Sequence, residues 1–589
     1  MSVKTVLHTL TQSKENKLRD IQEFLKIGSN SKKSSIAGNT PLHLAVVSDR
    51  HNESIIEELI KAKANVNLAN KDGNTPLHLA VLSDLDNNGI IEELIKAKAN
   101  VNLANNKGNT PLHLAVRIDN KGIIEELIKA KANVNLANNN GNTPLHLAVL
   151  LDNKGIIEEL IKAKANVSLA NNNGNTPLHL AVLSDLDNKG IIEELIKAKA
   201  NVNLANNDGN TPLHLAALTV LLDNKGIIEE LIKAKANVSL ANNNGNTPVH
   251  LAVLSVLDDK GIIEELIKAK ANVTVLDSLD NNGIIEELIK AKANVNLANN
   301  KGNTPLHLAV RIENKGIIEE LIKAKANVSL ANKEGDTPLH LAVLIDNNGI
   351  IEELIKAKAN VNLANNKGNT PLHLAVLIDN KGIIEELIKA KANVSLANNY
   401  GNTPLHLAVL LDNKGIIEEL IKAKANVSLA NNNGNTPLHL ALLSDLDNKR
   451  IIGELIKAKT NVSLANNAGN TPLHLTVIRR KHNIVSSLIQ AGANVNHRDE
   501  KGNSALHYAV DNCIALKRLN RNHICPPSHK HSSMNFIEYL LREGADINSL
   551  NNNKESSLMW AARRNDGDAV HMLLEYKAKV VRNKKKKSR

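Results

Sequence analysis

One hexapeptide, Thr-Pro-Leu-His-Leu-Ala, recurs along the chain at a nearly constant spacing, and this spacing constrains the fold more than any other feature. The hexapeptide, or a variant that differs at one residue, starts thirteen times between Thr40 and Thr471. Of the twelve gaps between consecutive starts, eleven are 33–36 residues long, and the gap from Thr247 to Thr304 is 57. Weaker copies extend the series at Thr5, Ser504 and Ser556. A period of this length indicates a stack of small, similar units.

The pattern within one unit predicts two helices. Thr143 is a typical N-cap, and Pro144 follows at the first helical position, where its missing N–H costs nothing. Asn153 follows the first helix and caps a second helix. That helix carries one apolar stripe, made of Ile156, Ile157, Leu160 and Ile161. Glu158 and Lys162 are predicted to pair at i,i+4 on its opposite face.

The segment that follows each second helix is rich in Asn and ends in Asn-Gly, as at Asn173-Gly174, which is a signal for a tight hairpin. One unit of turn, helix and helix cannot bury both apolar faces, so the units must stack. A period near 33 that carries T-P-L-H-x-A resembles the ankyrin repeat, and the resemblance extends over nearly all of 5–580. We therefore predict an all-α repeat solenoid of ankyrin type, in which β-hairpin-like loops join the stacked helix-turn-helix units.

The sequence departs from the ankyrin pattern after the second helix. Ankyrin repeats usually place Gly there, but most copies here have Lys, as at Lys63, Lys98, Lys131, Lys164 and Lys199. Gly492 and Gly544 keep the usual residue. If the backbone is left-handed at this position, each Lys costs on the order of 1 kcal/mol.

The long gap suggests a division of the chain. Residues 271–285 read ANVTVLDSLDNNGII, so one hairpin and one first helix are missing there. The missing piece makes either a hinge between two arrays or an unbroken but irregular stack, and we favour the second because an exposed Ile-Ile-Leu-Ile stripe is costly. The predicted organisation is an N-terminal array with a degenerate first repeat, a truncated repeat, a C-terminal array with an inserted loop, and a basic tail. These cover 1–273, 274–295, 296–580 with the insert at 513–533, and 581–589.

Composition favours a binding protein over an enzyme. Aromatic residues make up only 1% of the chain, and no Gly-rich phosphate loop, Gly-x-Ser-x-Gly or His-Glu-x-x-His motif occurs. Fifteen of the 22 histidines occupy the fourth position of the hexapeptide, where a structural role is expected because the residue recurs in every unit. The insert contains Cys513, His523, Cys525, His529 and His531. Their spacing matches no common zinc module, so we predict neither a metal site nor a cofactor.

The binding surface is predicted from the resemblance. Ankyrin-type stacks usually contact partners through a concave face, with the hairpin tips and the ends of the first helices. The corresponding helix-end residues here are Arg117, Ile118, Leu150, Leu151, Leu183, Arg311, Ile312, Leu344, Ile345, Leu377, Ile378, Leu410 and Leu411. The corresponding hairpin residues are Asn139, Asn140, Asn142, Asn172 and Asn173. The second residue of each helix-end pair could instead pack into the core, and the pattern does not decide between these roles.

The predicted function is a protein-protein interaction scaffold without catalytic activity, which binds an unidentified protein as a monomer. In the alternative, the array is a spacer and the basic tail contacts nucleic acid or an anionic membrane. The last thirteen residues carry eight cations and no acid, which leaves a net charge of +3 on the rest of the chain and argues against a nucleic-acid-binding body. With no membrane span or signal peptide recognised, we expect a cytoplasmic protein. The texture also resembles large ankyrin-type arrays of intracellular bacteria, some of which are exported into host cells as effectors.

Overall fold

The computed structural model describes residues 37–47, 53–83, 88–184, 188–218, 224–254, 281–445, 448–512 and 536–580. Several predicted features lie outside these ranges. They are the degenerate repeat at Thr5, the start of the truncated repeat at 274–280, the Cys/His insert at 513–533 and the basic tail at 581–589.

The chain divides into two compact units, and the division falls within the sequence of one repeat. Unit 1 comprises residues 1–312 and 323–325, and unit 2 comprises residues 313–322 and 326–589. The sequence-based division into arrays on either side of 274–295 stays a prediction, because most of the residues that would show a hinge lie outside the described ranges.

Each described repeat contributes a short first helix and a longer second helix. In unit 1 the first helices are Pro41–Val47, Pro76–Leu82, Pro111–Arg117, Pro144–Leu150, Pro177–Leu183, Pro212–Leu218, 248–254 and Pro305–Arg311. The second helices are Glu53–Lys61, Asn88–Lys96, Lys121–Lys129, Lys154–Lys162, Lys189–Lys197, Asn224–Lys233 and Asn281–Lys290. Lys315–Lys323 lies at the division between the units.

Unit 2 repeats the same alternation. Its first helices are Pro338–Leu344, Pro371–Leu377, Pro404–Leu410, Pro437–Leu443, Pro472–Ile478, Ala505–Asn512 and Ser557–Arg563. Its second helices are Asn348–Lys356, Lys381–Lys389, Lys414–Lys422, Lys449–Lys457, His482–Gln490, 536–542 and Gly567–Glu575. The described residues form no β-strand, and the one isolated bridge among them joins Leu550 to Ser556. The predicted all-α repeat architecture is confirmed.

The helices begin where the sequence predicts. The Thr143 hydroxyl oxygen accepts a hydrogen bond from the backbone N–H of His146, and Pro144 fills the first helical position. The side-chain oxygen of Asn153 accepts from the N–H of Ile156 and caps the second helix. Both caps satisfy donors that have no partner within a helix.

The core of each unit lies between the helices and continues from repeat to repeat. In one repeat, Leu145, Ala148, Val149, Ile157 and Leu160 are completely buried. Within each unit, first helices of neighbouring repeats pack against each other, as do the second helices, so a repeat such as the one at residues 144–162 buries its apolar stripe on both sides. Leu, Ile, Val and Ala make up the apolar core of the described residues apart from Phe536 and Trp560, which explains how the chain folds with so few aromatic residues.

The histidine of the hexapeptide joins consecutive repeats. The Thr143 N–H donates to Nδ1 of His146 at 3.1 Å, so Nδ1 is unprotonated and the proton is on Nε2. That Nε2–H donates to the carbonyl oxygen of Asn175 in the next repeat at 3.0 Å. The predicted structural role of these histidines is confirmed, because the same two bonds recur at most of the other described histidines of this position, as at His43 and His474.

Asparagine side chains form a second set of bonds between the hairpins. The Asn138 oxygen accepts from the N–H groups of Asn140 and Asn142 within its own turn. Its amide group donates to the side-chain oxygen of Asn109 in the preceding repeat at 2.9 Å. Asn139 donates to the carbonyl oxygen of Asn106 at 2.8 Å. Each turn is therefore held by its own asparagine and tied to the turn before it.

Within unit 1, the repeats on either side of residues 255–280 are direct neighbours. His250 donates from Nε2 to the carbonyl oxygen of Asn303 at 2.9 Å, and Asn299 donates to the side-chain oxygen of Asn246 at 2.9 Å. The helix Asn281–Lys290 packs against Asn224–Lys233, and its Ile285 and Leu288 are completely buried. The described part of unit 1 therefore continues its stacking past the irregular segment.

The lysines that replace glycine after the second helices have left-handed backbones. φ is +62° at Lys131, +65° at Lys164 and +67° at Lys199, and the two glycines that keep the usual residue, Gly492 and Gly544, also have positive φ. The position requires a left-handed residue, as the comparison with the ankyrin pattern suggested, and the array accepts the strain at each lysine.

Candidate functional site

The carboxyl ends of the first helices present a row of exposed residues. Leu150 is 52% exposed, Leu183 40% and Leu410 55%, and Leu344 and Leu377 fall between these values. Arg117 and Arg311 occupy the same position in two repeats and are also exposed. The first residue of every predicted helix-end pair therefore lies at the surface, at the same place in each repeat.

The second residues of these pairs behave differently from one another. Ile118, Leu151 and Leu411 are exposed, whereas Ile345 and Ile378 are half-buried. Ile312 is only 8% exposed, so its side chain packs in the core, which is the other role that the sequence left open for the second residue of each pair. The residue that follows each of these pairs, Asp152 and its counterparts, has positive φ in every case, so the turn is the same while the exposure of the second side chain differs.

The predicted hairpin asparagines divide into two groups. Asn139 and Asn172 each donate from the side-chain amide to a carbonyl oxygen of the preceding repeat, and Asn142 accepts from Asn171. These three contribute to the stack. Asn140 and Asn173 are exposed, and their described hydrogen bonds use the backbone, which leaves the side chains at the tip.

The hairpin tip, which Asn140 and Asn173 occupy among the predicted residues, differs from repeat to repeat, and this variation was not part of the prediction. It is the residue immediately before the positive-φ residue of each turn, usually Gly and in the last described repeat Lys554, and it varies while its surroundings hardly change. In unit 1 the tip residues are Ala37, Asp72, Lys107, Asn140, Asn173, Asp208, Asn244 and Lys301, and in unit 2 they are Glu334, Lys367, Tyr400, Asn433, Ala468, Lys501 and Asn553. Tyr400 is 69% exposed, although aromatic residues are scarce in this chain. Aligning the repeats with one another reveals this signal.

Two open cavities lie between the hairpin tips and the ends of the first helices in unit 1. We call this surface the tip groove. One cavity of 440 Å³ is lined by residues that include Asp72, Leu82, Lys107, Arg117 and Ile118. The other, of 510 Å³, is lined by Asn106, Lys107, Asn109, Arg117, Asn138, Asn139, Asn140, Asn142 and Leu147. Lys107 and Arg117 border both cavities, so two cations stand at the centre of the groove.

The repeated histidines are placed for structure and not for chemistry at the surface. Burial lowers the pKa of His146 to about 4, although its bond to Asn175 acts in the opposite direction. Burial likewise lowers the pKa of His373 and His406 to about 4. The rings are buried and both nitrogens are hydrogen-bonded. No group of three or more His, Cys, Asp or Glu within the described ranges could hold a metal ion.

The described helices were also compared in length and apolarity with a membrane-spanning helix. None of them has the length and apolarity that crossing a bilayer requires.

Comparisons with known proteins agree with this architecture. The family model "Ankyrin repeats (3 copies)" matches residues 7–105, 83–171, 186–277, 278–365, 345–430, 372–460 and 444–520. The model "Ankyrin repeat" matches residues 501–552. A search of curated proteins found no match.

Among the solved structures, 614 chains match. One of them is the crystal structure of the ankyrin repeat domain of Bcl-3, described as a unique member of the IkappaB protein family. It is 26% identical, with a TM-score of 0.34, and the match covers 41% of this chain and 100% of that one. Ankyrin repeats are generally non-catalytic and typically bind proteins. Because the ankyrin family models cover most of its length, the chain belongs to the ankyrin-repeat family.

Proposed function

We propose that this chain is a protein-protein interaction scaffold that binds a partner protein at the exposed ends of its first helices and at its hairpin tips, and that it catalyses no reaction itself. The row of exposed leucines carries the proposal. In unit 2, Leu344, Leu377 and Leu410 occupy the same position in three consecutive repeats, and all three are about half exposed. Stacking places them side by side, so they form one apolar strip.

The strip is large enough to support specific binding. Full burial of a leucine side chain contributes about 1.5–3 kcal/mol, so covering the exposed half of each contributes roughly 1 kcal/mol. Three such residues together contribute about 3 kcal/mol, which corresponds to roughly a hundredfold in affinity. The fold does not require leucine at this position, because arginine occupies it in two repeats, at Arg117 and Arg311.

The distribution of reactive side chains supports a binding role over an enzymatic one. An active site needs a unique set of groups in one cleft. The most frequent candidate here, histidine, is instead repeated in each unit, buried, and bonded on both ring nitrogens. The exposed surface of the repeats offers leucines, asparagines and isolated charges, which suit recognition of another protein.

The test compares two triple variants of the full chain. L344R/L377R/L410R places arginine where the array already tolerates it, and K356A/K389A/K422A changes the second helices of the same repeats as a matched control. Thermal unfolding followed by circular dichroism checks that both variants fold. Partner capture from bacterial and eukaryotic lysates, identified by mass spectrometry, is expected to fail for the leucine variant and to persist in the control.

A further arm of the same experiment addresses the alternative functions. Deletion of residues 577–589 removes the basic tail. Capture of the same partner without the tail supports the helix ends and hairpin tips of the array as the binding surface. Loss of capture only on tail deletion would favour the array as a spacer for a tail that contacts nucleic acid or membrane. Capture from the eukaryotic lysate alone would favour the prediction that the protein acts in a host cell.

A further inference from the structure

A lysine and an arginine occur together twice on unit 1, in an otherwise nearly neutral groove. Residues 104–118 read ANNKGNTPLHLAVRI, and residues 298–312 read the same. Each copy places one lysine at the hairpin tip and one arginine at the end of the first helix. The pairs are Lys107 with Arg117 and Lys301 with Arg311, and all four side chains are exposed.

The first pair faces a cavity without an opposing acid. Lys107 and Arg117 line the cavity of 510 Å³ together with six asparagines and Leu147, and no carboxylate contributes to that lining. Within the described ranges, neither cation forms an ion pair, whereas Lys121 in the same repeat lies 3.6 Å from Glu159. The nearby Asp119 carboxylate accepts a hydrogen bond from Asn153. Asp72 borders only the neighbouring cavity.

Apolar side chains flank the same two cations. Leu82 and Ile118 line the neighbouring cavity and are exposed, and Leu150 on the next first helix is exposed as well. A ligand that fits this place carries a negative group for the cations and branched apolar groups beside it. No aromatic residue lines either cavity, so the groove lacks the stacking platform that single-stranded nucleic acid requires.

We propose that Lys107 and Arg117, and likewise Lys301 and Arg311, each hold a carboxylate of an acidic peptide segment in the partner protein. At the first pair, the exposed Leu82, Ile118 and Leu150 cover the apolar residues of that segment. The inference rests on the proposed function and names the chemistry of the partner. An arginine fork binds a carboxylate through two parallel hydrogen bonds, and a lysine at the tip adds a second positive charge from the other side of the groove.

The two sites are separated by a fixed number of repeats. Bonds from His113 to Asn142, and onward through each following repeat to the bond from His250 to Asn303, connect the first site to the second in five steps. At about 8–10 Å per packed helix, the separation is roughly 40–50 Å. Unit 1 therefore carries the same lysine–arginine pair twice, for a long partner or for two copies of a short one.

The array itself supplies the variants that test this proposal. In the next repeat the tip is Asn140 and the helix end is Leu150, so K107N/R117L/K301N/R311L introduces only residues that already occur at those positions. The reciprocal variant N140K/L150R adds a third cation pair. Melting followed by circular dichroism is expected to be the same for both variants and the natural chain.

Random dodecapeptides displayed on phage serve as the probe, selected on the full-length natural chain and on the quadruple variant. The pool from the natural chain is expected to be enriched in Asp and Glu next to Leu, Ile or Val, and the pool from the variant is not. For one selected peptide, replacing Glu with Gln and Asp with Asn should weaken binding to the natural chain about tenfold. The same replacement should leave binding to the quadruple variant unchanged, and N140K/L150R should bind more peptide at saturation.

The proposal would be overturned if the two selected pools contained the same fraction of Asp and Glu. It would also be overturned if replacing Glu with Gln left the affinity for the natural chain unchanged, or if millimolar inorganic phosphate displaced the peptide at constant ionic strength. Selection of neutral apolar peptides would overturn the acidic partner and leave the interaction scaffold intact. Peptides whose binding is unaffected by both the cation variant and L344R/L377R/L410R would instead contradict the scaffold surface itself.

Discussion

Mild acid should destabilise this protein, because nearly every described repeat buries a neutral histidine. In the repeat of His373, the Thr370 N–H donates to Nδ1 at 3.1 Å and Nε2 donates to the Asn402 carbonyl at 3.0 Å. A protonated ring has two donors and no acceptor, so it must give up the bond from the threonine N–H. Protonation therefore opposes both the helix cap and the burial of the ring.

The size of the effect follows from the pKa values. Burial lowers the pKa of His373, His406 and His474 to about 4, from an ordinary value of 6.5. The unfolded chain takes up protons below 6.5 and the folded chain only near 4, so stability is complete above 6.5 and is lost as the pH falls between these values. At about pH 5.5 the loss is about 1.4 kcal/mol for each histidine, or about 4 kcal/mol for these three in unit 2.

Other titrating groups act outside this window. Side-chain hydrogen bonds to Lys356 and Lys422 lower the pKa of Glu353 and Glu419 below 4.5, so those carboxylates lose their contribution only in stronger acid. The partner lysines have raised pKa values and stay charged throughout. A loss of stability between about pH 6.5 and pH 5.5 therefore reports the histidines.

Urea unfolding followed by circular dichroism measures the loss. Between about pH 7.5 and pH 5.5 the midpoint of unit 2 should fall by about 1 M. H373Q/H406Q keeps an amide donor at each position without a titrating ring. This variant should be less stable at neutral pH, but its loss on acidification should be smaller by roughly 3 kcal/mol. Equal midpoints at the two pH values, or an unchanged loss in the variant, would refute the reasoning.

Two further predictions concern the backbone. Replacing Lys131, Lys164 and Lys199 with Gly should raise the melting temperature by a few degrees. The change relieves about 1–2 kcal/mol of left-handed strain at each position, which exceeds the cost of the entropy that glycine adds to the unfolded chain. A lower melting temperature would contradict this prediction. Gly141→Ala should destabilise the chain by about 2 kcal/mol or more, since φ is +77° and a Cβ would lie 2.4 Å from the backbone nitrogen of Asn172. The matched change Gly155→Ala, in a helix with its nearest atom at 3.6 Å, should be neutral or stabilising in the same melting assay.

The repeat, its two helices and their caps were predictable because they depend on local sequence. Thr143, Pro144 and Asn153 act at the ends of their own helices, and the apolar stripe fixes which face is buried. The structural role of His146 was also predictable, because a residue present in every unit serves the unit. These features need no knowledge of what lies beyond the neighbouring repeat.

Other details are not determined by the pattern of one repeat. Lys162 lies 2.9 Å from Glu159, at i,i+3, and not in the predicted i,i+4 pair with Glu158. Glu159 also lies 3.6 Å from Lys121 of the preceding repeat. Within a single repeat, the side chains of Asn139 and Asn172 would have no partner at the hairpin. In the stack, each donates a hydrogen bond to a carbonyl oxygen of the preceding repeat. Ile312 was indistinguishable in sequence from the exposed Ile118. Periodicity identifies equivalent positions, and only the stacked neighbours determine how exposed each one is.

The direct bonding of His250 to Asn303 means that the repeats of unit 1 are interchangeable parts. The bond has the same geometry as that between His214 and Asn246, although 53 residues separate its partners instead of 32. A repeat can therefore be lost or gained between any two neighbours without creating a new kind of interface. Such a change in gene length would leave the fold intact and alter only the distance between the pairs Lys107–Arg117 and Lys301–Arg311. Recombination between its own repeats can thus change the spacing of the two pairs in steps of one repeat.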